Sequence, residues 1–115
     1  MQGIILHKKS SKINSLIAQL RQENIFLNGA VWSPRAPLDL DMLYATACVV
    51  YRSAAEHDEA DDILRIFPEL SEKMGTTPLM VLDEKNDPAH NTIKGYIALP
   101  LSAHELAFEI KKLVC

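Results

Sequence analysis

Three groups of side chains in this sequence have the types and the spacing to do chemistry, and each follows or closes an apolar run. His7-Lys8-Lys9 follows Gly3-Ile4-Ile5-Leu6, Tyr51-Arg52-Ser53 closes Ala47-Cys48-Val49-Val50-Tyr51, and Asp83-Glu84 follows Leu79-Met80-Val81-Leu82. The imidazole of His7 offers a phosphoryl acceptor, and Lys8 or Lys9 could form an ion pair with Asp83 or Glu84 across neighbouring strand ends. Left exposed, such a pair contributes only about 0–1 kcal/mol. A fourth run, Gly95-Tyr96-Ile97-Ala98-Leu99, ends at Pro100 with no ionisable group. Glu56-His57-Asp58-Glu59 with Asp61 and Asp62 carries enough donors for a cation. Carboxylates also favour the positive end of a helix dipole, so a solvated acidic helix start is the preferred reading. Cys48, inside an apolar run and far in sequence from any histidine, reads as a small core residue rather than a nucleophile.

The elements that must position these groups follow from the hydrophobic pattern. Uninterrupted apolar runs of this length are what strands of a parallel sheet look like when both faces are covered. A fifth segment, Ile25 to Trp32, is interrupted by Asn28 and Gly29 and reads as an edge strand. Trp32 either closes the core or stands out as an anchor for a partner. Between the strands, Ile13, Leu16, Ile17 and Leu20 recur at helical spacing, with Ser10 or Ser11 available to cap the start. Ile63, Ile66, Phe67, Leu70 and Met74 predict another helix, which Pro68 should kink or divide because it lacks an amide hydrogen, and which Gly75 should end. Ala103, Leu106, Ala107, Ile110, Leu113 and Val114 predict a last helix, begun by a Ser102 and Glu105 capping box. Leu38 to Ala45 and Glu84 to Lys94 have room for short helices only. The order β-α-β-α-β-α-β-α-β predicts one doubly wound α/β domain over residues 1–115, whose ligand crevice lies at the carboxyl ends of the strands.

Composition narrows the function. The 115 residues, 48% of them apolar and 23% charged, suit one globular domain and no more. A formal charge of -3 gives no basic stripe for nucleic acid, so direct DNA or RNA binding is not expected. Cys48 and Cys115 form neither a disulfide framework nor a metal-ligand spacing. No apolar stretch nears the roughly 20 residues that span a bilayer, and charge arrives at His7-Lys8-Lys9 too early for a signal peptide. The expectation is a reduced, cytoplasmic protein with no membrane contact and no cofactor.

The segment Gly95-Tyr96-Ile97-Ala98-Leu99-Pro100-Leu101-Ser102-Ala103-His104-Glu105-Leu106 resembles the end of a response-regulator receiver domain. That family has Gly-Ala-x-x-Tyr-[Leu/Ile]-x-Lys-Pro-[Phe/Leu] before a capped helix with Glu-Leu in its first turns. Thr77-Pro78-Leu79-Met80-Val81-Leu82 resembles the family's fourth strand, and the length and five-fold order match over the whole chain. The resemblance implies a five-stranded parallel sheet in the flavodoxin-like order 2-1-3-4-5. It also implies where phosphorylation chemistry would sit: an acidic pair after the first strand for Mg²⁺, an Asp after the third, a Thr or Ser after the fourth and a Lys before the proline. This sequence departs at each. Lys8 and Lys9 replace the acids, Tyr51 or Arg52 the phospho-acceptor, Asp83 the hydroxyl residue and Leu99 the lysine; Pro100 is kept, and whether the Leu99-Pro100 bond is cis stays open.

Two ammonium groups in place of two carboxylates oppose a hard divalent cation. The expectation is therefore a pseudo-receiver with neither Mg²⁺ nor phosphorylation, not an enzyme, working in signalling through a protein partner or a homodimer. The resemblance puts its interaction face on the fourth helix, fifth strand and fifth helix, with Tyr96, His104, Glu105, Phe108 and Lys112 as the residues involved. Phe108 matters most there, being off the core stripe of Leu106 and Ile110. Tyr96 holds the position of an aromatic whose rotation accompanies activation in many receivers. A second expectation makes the domain the N-terminal regulatory part of a transcriptional regulator. A third, from another class, is a phosphohistidine carrier or small enzyme using His7, as in sugar-phosphotransferase carrier domains.

Overall fold

The computed structural model describes residues 2–8, 13–32, 47–54, 63–86, 93–99 and 101–114. Each apolar run forms a strand: β1 Gln2–Lys8, β2 Phe26–Trp32, β3 Cys48–Arg52, β4 Leu79–Asp83 and β5 Tyr96–Ala98. All neighbours pair in parallel, in the order β2-β1-β3-β4-β5. β2 is the edge strand that its interrupted pattern predicts. The register sets Val50 beside Val81, Tyr51 beside Leu82 and Arg52 beside Asp83, so β3 and β4 end level.

The helices α1 Asn14–Gln22, α2 Phe67–Met74 and α3 Ala103–Val114 lie on both sides of this sheet. On one side Ile13 and Leu20 of the α1 segment and Leu106, Ala107 and Ile110 of α3 pack against Ile5, Leu27, Val49, Tyr51, Met80, Leu82 and Ile97. On the other, Ile63, Leu64, Leu70 and Met74 pack against Leu6, Trp32, Cys48, Val50 and Val81. Alternate residues of each strand therefore feed opposite cores, as strand geometry requires.

Local chemistry explains the helix ends. Pro68 falls in the first turn of α2, where its missing amide hydrogen costs nothing, and the residues before it, Ile63–Ile66, wind as a 3₁₀ turn instead. Gly75 ends α2 with φ of 60°. Ser102 Oγ accepts the Glu105 amide hydrogen at 3.2 Å and donates to the Glu105 carboxylate at 2.9 Å, which makes the N-terminal box of α3. At the start of α1 Ile13 is the N-cap residue, buried and with no side-chain hydrogen bond to the helix; Ser10 and Ser11, the expected caps, lie outside the described residues. Glu84–Lys85 and Ile93–Gly95 are turns or bends. The predicted helix at 38–45, the middle of the 84–94 stretch and the acidic run from Glu56 to Asp62 lie outside the described residues.

Candidate functional site

The carboxyl ends of the strands hold a polar group on the α2 side of the sheet. Arg52 closes β3 with 5% of its surface exposed and Asp83 closes β4 with 0%. Arg52 Nη1 donates to Asp83 Oδ2 at 3.3 Å. Tyr96 OH donates to the same oxygen at 2.6 Å, and the Lys85 amide donates to Oδ1 at 2.9 Å. Both carboxylate oxygens are thus engaged in a place that water scarcely reaches. Charge-assisted bonds of this kind are the strong ones, and low dielectric makes them hard to break. The backbone is tied as well: the Glu84 amide donates to the Arg52 carbonyl at 3.0 Å and the Leu99 amide to the Asp83 carbonyl at 2.9 Å.

The expected ion pair named Lys8 or Lys9 as the cation; the pair seen here brings Arg52, from the neighbouring strand, to Asp83, and it is buried rather than exposed. Strand pleat then separates the other predicted residues. Lys8 and Arg52 follow Leu6 and Val50 in alternation and belong to the α2 face, whereas Tyr51 and Leu99 pack on the α1 and α3 side. Tyr51 and Arg52, adjacent in sequence, therefore serve different faces. Lys9 and Pro100 lie outside the described residues.

The remaining candidates are placed as follows. His7 is half-buried, and its Nδ1–H donates to the Lys8 carbonyl at 2.9 Å. Cys48 is a core residue at 0% exposure, and burial pushes its thiol from 9.0 up to about 11. Trp32 is buried at 7% exposure and closes the α2-side core, which settles the choice left open by its position. On α3, His104, Glu105, Phe108 and Lys112 form one exposed stripe by helical spacing, with Phe108 64% exposed. His104 Nδ1 lies 3.4 Å from Glu23 at the end of α1. Tyr96 stands apart from them, half-buried on the opposite face of the sheet with its hydroxyl turned to Asp83.

No family model and no curated protein matches the chain. Solved structures do. It is similar to a response regulator from Desulfuromonas acetoxidans at 15% identity and a TM-score of 0.69, over 98% of this chain and 95% of that one. It is similar to a response regulator protein from Burkholderia multivorans at 18% identity and a TM-score of 0.57, again over 98% and 95%. The receiver domain of Francisella response regulator 1452 matches at 14% identity, with a TM-score of 0.60 and the same coverage. The chain thus has the receiver fold, flavodoxin-like in strand order, along nearly its whole length.

Receivers of the active pattern hold Mg²⁺ at these strand ends, and among the described residues the donors here do not fit that ion. A hard cation needs several carboxylate or carbonyl oxygens free to face it. β1 ends on Lys8, β3 on Arg52, and the carboxylate of Asp83 is already taken up by a guanidinium, a phenol and an amide. Among the described residues, no helix is long and apolar enough to cross a membrane.

Proposed function

We propose that this chain is a receiver-like signalling domain that works without phosphorylation and acts by binding a protein partner or a second copy of itself. The observation that carries the reading is the buried Arg52–Asp83 pair. An acyl phosphate forms only on a carboxylate nucleophile. A guanidinium, which stays protonated and carries no nucleophilic oxygen, stands at the end of β3 instead. The charge balance of the strand ends is met internally, with Asp83 as the anion and Arg52 as the cation.

What remains to carry a signal is surface. The stripe of His104, Glu105, Phe108 and Lys112 presents an aromatic ring between groups of both charges, which is the make-up of an interface centre with a polar rim. Tyr96 connects the strand ends to the neighbouring β5 edge, and its bond to Asp83 holds it in one orientation. A place as the regulatory domain of a transcriptional regulator fits this reading, and so does a free-standing adaptor in the cytoplasm.

The experiment is incubation with acetyl phosphate or beryllofluoride and Mg²⁺, followed by intact mass and amide spectra. Unchanged mass and unchanged resonances at Lys8, Arg52 and Asp83 are expected. A response confined to those strand ends would overturn the proposal, and stable phosphate on His7 would replace it with a phosphocarrier. For the surface, Phe108→Glu should weaken self-association in sedimentation; an unchanged profile would count against this face.

A further inference from the structure

We infer that the strand ends carry a small-molecule site on the α1 and α3 side, shaped for an amine with a compact apolar body. This goes beyond a role in protein contacts and rests on different residues. A cavity of about 250 Å³ opens there, lined among the described residues by Leu16, Tyr51, Ala54, Glu84, Leu99, Leu101 and Leu106. Tyr51 and Leu106 are buried and belong to the core. Leu16, Leu99 and Leu101 are only partly buried, although all three pack against that core. Apolar side chains from α1, from the end of β5 and from the approach to α3 thus converge on space they do not fill. The location is the crevice where open α/β sheets bind ligands.

The ligand class follows from the lining. Four leucines and an aromatic wall call for an apolar, preferably aromatic, body. A volume just below the usual range for drug-sized ligands limits that body to about one ring with a short arm. Charge decides the other end. Glu84 is the one charged residue lining the cavity among the described residues. Its Oε1 accepts the Ala54 amide hydrogen at 3.2 Å, which fixes the carboxylate at the rim. Among the described residues, the basic side chains at the neighbouring strand ends, Arg52 and by alternation Lys8, belong to the other face, so the sheet separates them from the cavity. An ammonium group is favoured at the rim and a carboxylate is repelled.

The test uses the full chain, isotopically labelled, titrated with phenethylamine, 2-phenylethanol and phenylacetate to millimolar concentration. Saturable amide shifts centred on Tyr51, Ala54 and Leu101 are expected. Phenethylamine should bind up to about fivefold more tightly than the alcohol, the gain of one exposed ion pair. Phenylacetate should bind more weakly than either. Glu84→Gln, an exposed change that leaves the fold intact, should erase the preference while the alcohol still binds. Absence of saturable shifts, shifts centred elsewhere, equal affinity for amine and carboxylate, or an unaltered preference in Glu84→Gln would each overturn the site. Because Arg52 and Asp83 lie across the sheet, loss of this site leaves the phosphorylation result untouched.

Discussion

Neutralising Asp83 should cost more than any surface change in the molecule. Asp83→Asn keeps the shape and an acceptor oxygen for Tyr96 or the Lys85 amide, but it removes the Asp83 charge from beside the Arg52 guanidinium, which is 5% exposed. Removing one member of a buried pair typically costs about 3–5 kcal/mol. The surviving hydrogen bonds place this case near the lower end, about 3 kcal/mol, a large share of the roughly 5–15 kcal/mol that holds a domain together. Arg52→Met removes the cation instead and should cost about 2–3 kcal/mol, since Asp83 keeps its phenol and amide donors. The double variant buries no charge and should be more stable than the sum of the singles implies, with a coupling of roughly 2 kcal/mol. Equilibrium unfolding in urea reads this directly, because slopes of about 1–3 kcal/mol/M turn a 3 kcal/mol loss into a midpoint shift of about 1–3 M. Additivity of the two singles within about 0.5 kcal/mol would refute the claim that this pair organises the strand ends.

Tyr96→Phe removes the hydroxyl that lies 2.6 Å from Asp83 Oδ2, and the lost charge-assisted bond should lower unfolding stability by about 1.5–3 kcal/mol. Gly95 has φ of +85°, and a Cβ there would lie 2.6 Å from the Leu79 carbonyl oxygen; Gly95→Ala should therefore cost about 2–4 kcal/mol. Gly75→Ala meets no atom within 4 Å and should cost about 1–3 kcal/mol for its φ of +60° and ψ of -116° alone, so melting curves of the pair separate contact from conformation. The Cys48 thiol moves from 9.0 to about 11 on burial, so the folded state favours its neutral form. The stability this provides is complete below pH 9 and falls as pH rises toward 11, by roughly 2–3 kcal/mol in all. In a Cys115→Ser background, Cys48 should resist a disulfide reagent at pH 8 until denaturant is added, and rapid labelling of the folded protein would refute its burial.

Strands and sheet order were the most legible part of this chain, because residues buried on both faces leave an apolar run that polar substitutions would interrupt. The long periodic stretch after Ser102 and the proline break before α2 were legible for the same local reasons. The anion at the strand ends was visible as Asp83, but Arg52 as a buried partner was not. Lys8, Lys9 and Arg52 are equally basic in a linear reading, and only the register sets Arg52 beside Asp83. Trp32 was ambiguous because a strand-end aromatic reads alike in a core or on a surface until its packing is seen. The cavity had a signal that went unread: Leu99 and Leu101 stand at a strand end where the crevice ought to be polar.

The sheet is fastened unevenly. β1 is held on both sides, by seven paired positions to β2 and three to β3, while the edge strand β5 meets the sheet only through three positions with β4. Amide exchange should therefore begin at β5, with Leu106, Ala107 and Ile110 of α3 as the main restraint on how far that margin peels away. A molecule that grips the outer face of α3 would be holding shut the loosest seam in the protein, and its arrival would register as slowed exchange in β5 without any movement of the strands.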